Sequence, residues 1–205
     1  MKKYLLKFIS ALCFSLVYAI AFAAPAAARS EGLNNESNTF LGIDLNRPFP
    51  GEMLACPLVS WTHMVDHQAL ENITETCYMQ LEKNYFELYK TPDLGLGNTV
   101  KLRVYDGYPA VFLLIAHISR FTKMENLFVT RYGKPDSTAQ GMVKNGRGQS
   151  FDNRTLTWKG KIIGIQIDSR GDHVDQSQAV ITSLRAAKQR DKDYKDASAR
   201  GAGKL

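Results

Sequence analysis

The stretch that most constrains the fold is Thr99 to Ile118, TVKLRVYDGYPAVFLLIAHI, which reads as two strands joined by a two-residue turn at Asp106-Gly107. Asp-Gly suits a type I′ turn, because both central positions need positive φ and that turn's twist matches the strands on either side. Counting straight pairs outward from the turn sets Tyr105 opposite Tyr108, Val104 opposite Pro109, Leu102 opposite Val111 and Val100 opposite Leu113. Val100, Leu102, Val104, Val111 and Leu113 are then expected on one apolar face. The first strand's other face carries Lys101, Arg103 and Tyr105. The second strand is apolar on both sides from Val111 to Ile115, which predicts a central strand covered on both faces, with the first strand nearer an edge.

The chain opens with Lys2, Lys3 and Lys7, an apolar run from Phe8 to Phe22, and small-residue sites ending at Ala23 and Ala28. That is the plan of a secretory signal peptide over 1–28, with cleavage after either alanine fitting the small-x-small rule. The rival reading is an uncleaved anchor, but the apolar run without Lys7 is short of the usual ~20 residues. Cys13 lies inside the apolar run and is no lipidation site. The expected location is periplasmic or secreted, with no stable membrane span after cleavage.

Export changes the meaning of both charge and cysteine. The net charge of +6 owes much to the signal and to the tail, where Arg185, Lys188, Arg190, Lys192, Lys195, Arg200 and Lys204 outnumber Asp191, Asp193 and Asp196. Between them the body is close to neutral, so a basic nucleic-acid groove on the fold is not expected. Cys56 and Cys77 remain as an even pair in an oxidising compartment and are expected to form a disulfide. Such a bond contributes about 3 kcal/mol through the entropy of the unfolded chain.

Residues 29–39 are small and polar and read as a flexible leader. A single domain is expected over 40–184. Leu58, Trp61 and Val65 recur at helical spacing, followed by one strand or a bent pair over 76–89. After the hairpin, Thr122 and Glu125 fit a capping box, Phe121, Met124, Phe128 and Tyr132 form an apolar stripe, and Gly133 with Pro135 stops the helix. Asp136 to Arg154 is a long polar stretch that reads as either a functional loop or a disordered one. Leu156-Thr157-Trp158, a Lys159-Gly160 turn and Lys161 to Ile167 make a second hairpin, and Ala179 to Leu184 a closing strand. The expected fold class is α+β: an antiparallel sheet of about five to six strands, with one main helix and a short N-terminal helix packed on one face. The basic tail over 185–205 lacks an apolar face and is expected to be disordered, with at most weak, salt-sensitive contact to a polyanion or anionic lipid.

The order of these features resembles that of small exported bacterial proteins with a BamE-like or β-lactamase-inhibitor-like layout. The features are the Leu41-Gly42 opening, Cys56-Pro57, Cys77, the Asp-Gly hairpin, a helix ending in Arg131-Tyr132-Gly133-Lys134-Pro135, and Trp158 on a hairpin strand. The resemblance implies a binding scaffold without catalysis and carries over no site residue.

Two functions of different class follow as expectations. The first is an exported, non-enzymatic binding protein of the bacterial envelope, with an envelope or secreted protein as partner. Its candidate surface is Lys101, Arg103, Tyr105, Lys144, Arg147 and Arg154. The second is a small periplasmic hydrolase or metal-dependent enzyme, for which His63, Asp66 and His67, with Glu71, would share one helical face. Met64 follows His63 and excludes the HExxH pattern, so a solvated polar face is the plainer reading. The binding reading calls for no cofactor, and none is expected.

Overall fold

The computed structural model describes residues 33, 35–60, 62 and 64–202. The expected signal segment 1–28, the first residues of the expected leader, Trp61, His63 and Lys204 lie outside the described residues.

The Asp106-Gly107 turn forms as expected, with φ of 50° and 77°. It joins β6 (Thr99–Tyr105) to β7 (Tyr108–His117); the lower numbers belong to five shorter strands that precede the hairpin. Tyr105 pairs with Tyr108 and Val104 with Pro109, as straight counting requires, but Arg103 then pairs with Val111. Ala110 is the extra residue of a β-bulge, and from there the register moves by one. Phe112 and Leu114, not Val111 and Leu113, therefore join Leu102 and Val100 on the core face, and all four are almost fully buried. Because side chains alternate with period two, one added residue exchanges the two faces of the rest of the strand. Burial of each such side chain contributes about 1.5–3 kcal/mol.

The five preceding strands are β1 (Thr39–Phe40), β2 (Ile43–Asp44), β3 (Leu54–Ala55), β4 (Cys77–Glu82) and β5 (Tyr85–Tyr89). After β7 come a 3-10 turn over Ile118–Arg120, α2 (Phe121–Tyr132), β8 (Ser137–Lys144), β9 (Ser150–Lys159), β10 (Ile163–Asp168), β11 (Gln176–Ser183) and α3 (Leu184–Ala202). A one-turn helix, α1 (His67–Leu70), precedes β4. One nine-stranded sheet runs β3-β4-β5-β6-β7-β11-β10-β9-β8, and β1 with β2 makes a separate two-stranded sheet. Only β3 to β4 is parallel; the other neighbours in the large sheet are antiparallel.

This corrects the expected fold class. Among the described residues the protein is mostly β, built on a nine-stranded mixed sheet with three α-helices, and not an antiparallel sheet of five to six strands under one main helix. Three segments account for the difference. The 76–89 stretch is two full strands. The polar 136–154 stretch, read as a loop, supplies β8 and much of β9; it is polar because it runs out from the core with both faces wet. The 185–205 tail, expected to be disordered, is helical through Ala202. The described part of the leader is also tied down: the Glu36 carboxylate accepts hydrogen bonds from the backbone N–H groups of Lys161, Ile162 and Ile163.

β7 is the fifth of the nine strands, with β6 on one side and β11 on the other. The expectation of a central second strand holds, while β6 is interior too, since β5 covers its outer side. The core lies on one face of the sheet, where Phe86, Leu102, Phe112, Leu114, Leu156, Trp158, Ile165, Ile167 and Ile181 meet Met124, Phe128 and Tyr132 of α2. Phe40, Ile43, Leu45 and Phe49 from the first strands and the turns after them close the same layer. Gly133 ends α2 with φ of 83°, and its carbonyl accepts a 2.9 Å hydrogen bond from Trp158 Nε1. The capping box does not form. Arg120 is the N-cap without a side-chain bond, and Glu125 instead meets Arg154.

Cys56 and Cys77 are bonded, as the cysteine count requires. With Val65 and Leu70 they form a second, smaller apolar cluster at the β3 end of the sheet. The disulfide is consistent with an exported protein. Among the described residues no helix is long and apolar enough to cross a membrane.

Candidate functional site

The face of the sheet away from α2 is only partly covered. The bulge at Ala110 turns Val111 and Leu113 onto this face, beside Lys101 and Arg103 of β6, and both are half-buried. Next to them β11 presents Val180 and Gln178, and β5 presents Tyr85, which pairs with Arg103. Above this floor runs α3. Its first turns sit on β11 and β7: Ala186 is buried, and the Arg185 guanidinium stacks 3.8 Å from the centre of the Tyr108 ring. Farther along, Asp193 accepts a 2.8 Å hydrogen bond from the Tyr105 hydroxyl, which raises the phenol pKa above its ordinary value.

Between α3 and the strands lies a cleft of about 330 Å³, lined by Tyr85, Lys101, Arg103, Leu113, Gln178 and Arg190 among others. Lys101 Nζ and the Arg103 guanidinium lie 5.9 Å and 5.3 Å from the centre of the Tyr85 ring, so one aromatic ring contacts both cations. Asp172, from the turn before β11, is the one acidic side chain in the lining. Three cations on the walls over an apolar floor suit a ligand with one or more anionic groups and an apolar body. The Arg103 guanidinium can take a carboxylate in a two-point contact, Arg190 offers the part of its guanidinium not engaged by Asp191 at 3.4 Å, and the lysine adds a mobile point charge.

The six residues of the expected surface do not form one surface. Lys101, Arg103 and Tyr105 stay together on the α3 side of the sheet. Arg154 lies toward α2 and is occupied by Glu125 through paired 2.7 Å and 2.9 Å hydrogen bonds. Lys144 and Arg147 sit at the far end of the β8–β9 hairpin, where the Asn145 side chain accepts from the Arg147 and Gln149 backbone N–H groups. Tyr85, Gln178, Asp172 and Arg190 complete the cleft and were not singled out by sequence. Tyr85 alternates with Phe86 and so declares a face, but its neighbour across the strands cannot be read locally. Arg190 is placed only because α3 folds back over the sheet.

The region considered for metal or catalysis has plainer roles where it is described. The Asp66 carboxylate caps α1 by accepting from the Gln68 and Ala69 N–H groups, both at 3.0 Å. The His67 ring packs edge-on to Tyr89, 6.5 Å between centres, and His63 lies outside the described residues. Among the described residues no three His, Cys, Asp or Glu side chains are grouped to hold a metal ion. His117 caps the start of the 3-10 turn, with 2.8 Å between its Nδ1 and Ser119 Oγ. A more apolar hollow of about 300 Å³ lies between Leu41-Gly42 and α2, with Arg131 as its one charged side chain. Comparison with known proteins finds no matching family, no matching curated protein and no matching solved structure.

Proposed function

We propose that this is an exported, non-enzymatic binding protein that captures an acidic segment of another exported or envelope protein in the cleft between β5, β6, β7, β11 and α3. The observation that carries the reading is the convergence of Lys101, Arg103 and Arg190, from a strand and a helix far apart in sequence, over the half-buried Val111, Leu113 and Val180. Cations scattered on a surface contribute little, whereas cations held together at the edge of apolar surface give an anionic peptide both charge and area to bind. The disulfide supports the exported setting.

The test is fluorescence anisotropy with labelled acidic peptides carrying aromatic or aliphatic residues, set against the same peptides with Glu and Asp replaced by Gln and Asn. Acidic peptides should bind, more weakly as salt rises. The double substitution Lys101→Glu, Arg103→Glu should weaken them by about tenfold or more, corresponding to at least ~1.4 kcal/mol. Equal binding of the neutral peptides, or indifference to the double substitution in a variant that keeps its circular dichroism, would sink the proposal.

A further inference from the structure

The β8 end of the sheet presents a different kind of surface. β8 pairs with β9 through eight successive residue pairs, from Ser137 opposite Thr157 to Lys144 opposite Ser150, without a bulge. Its other side is the end of the sheet: among the described residues no strand pairs with it. All of β8 except Val143 is exposed, including Met142 at 60 %. Natural edge strands are blunted by prolines, bulges, central charges or shortness, because an unpaired row of N–H and C=O groups invites another strand. STAQGMVK has none of these along its first seven residues. Its one charge, Lys144, stands at the end.

We propose that β8 pairs antiparallel with β8 of a second copy of this chain, about a two-fold axis at Gln140, joining two nine-stranded sheets into one. Charge selects the occupant and the register. A two-fold perpendicular to the sheet pairs some residue with itself, and with Gln140 on the axis Lys144 falls opposite Asp136 of the second copy, twice by symmetry. Thr138 then faces Met142 and shields it, and Ala139 faces Gly141, so no bulky pair holds the strands apart. A two-fold at Ala139 would instead set Lys144 against Lys134, and one at Gly141 leaves Lys144 opposite Thr138 without an acid. Asp136 is already positioned, since its Oδ2 accepts from the Lys159 N–H at 2.5 Å.

Sedimentation equilibrium of the purified protein at low salt tests this. The protein should dimerise, and the amides of β8 should become protected from hydrogen exchange as concentration rises. Gln140→Lys puts two ammonium groups face to face on the axis, and Lys144→Glu opposes two carboxylates at both ends; each should weaken the dimer by about tenfold or more. Both positions are exposed, so each variant should keep the circular dichroism of the parent. A protein that stays monomeric up to its solubility limit overturns the proposal. So does a dimer that ignores both substitutions, or β8 protection that arises only when a different protein is added. The cleft is on another part of the sheet, and peptide binding there does not depend on this result.

Discussion

The two ends of the large sheet solve the same problem in opposite ways. At one end β3 is two residues long, runs parallel to β4, and is held at its root by the Cys56–Cys77 disulfide. The Leu58 to Val65 bridge and α1 fold against that corner, and Val65, Leu70 and the cysteines bury a small cluster of their own. At the other end β8 is eight residues long and exposed, and among the described residues it pairs with β9 alone. A short edge tied by a covalent bond offers an incoming strand almost nothing to pair with. A long, straight, weakly charged edge offers a full ladder. The contrast says that local order at the two ends has different sources: a cross-link and a mini-core at the first, backbone pairing alone at the second.

That contrast can be broken by substitution. The largest effect is expected at the pinned end. Replacing both Cys56 and Cys77 with Ala should lower the free energy of unfolding by about 2–5 kcal/mol in urea denaturation, and a loss under ~1 kcal/mol would show that the mini-core holds the corner without the bond. An intermediate effect is expected where β9 leaves the core. Trp158→Phe removes the indole N–H that bonds the Gly133 carbonyl at the end of α2 and leaves a smaller ring in a fully buried site, and should cost about 1–3 kcal/mol by the same measurement. If it costs nothing, the root of the open hairpin is not anchored through α2. The smallest effect belongs to the open end itself. Met142→Ser, in the middle of the exposed strand, should leave the stability of the monomer within about 0.5 kcal/mol of the parent. A larger loss would mean that β8 carries core packing after all.

Legibility in the sequence follows the same divide. Cys56 and Cys77 could be paired by count and compartment. The 121–132 helix could be read from Met124, Phe128 and Tyr132 at helical spacing and from Gly133 after them. β8 could not be read, because a strand that is wet on both faces has no alternation to show: Ser137, Ala139 and Gly141 are as polar or small as their neighbours. Only pairing with β9, whose own inner half carries Leu156 and Trp158, makes it a strand. Of the cleft, Lys101 and Arg103 are visible in the sequence as part of the polar side of β6. Arg190 was not, since α3 has no apolar stripe that announces a buried face. Its hold on the sheet comes from Ala186, from Arg185 stacking on Tyr108, and from Asp193 meeting Tyr105.

The opening hairpin shows where the boundary lies. By itself the sequence determined the turn, because Asp106-Gly107 states its own backbone preference over two residues, and it determined the first pairs, Tyr105 with Tyr108 and Val104 with Pro109. It determined the stop of α2 at Gly133 for the same kind of reason. Tertiary structure alone decided that Ala110 bulges, that Phe112 and Leu114 go to the core, and that Val111 and Leu113 line the cleft beside Lys101 and Arg103. An apolar run such as Val111 to Ile115 is acceptable on either face. Which face each side chain takes is set by the volumes waiting there, α2 and Phe40 on one side and the start of α3 on the other, and those are contributed by residues distant in the chain.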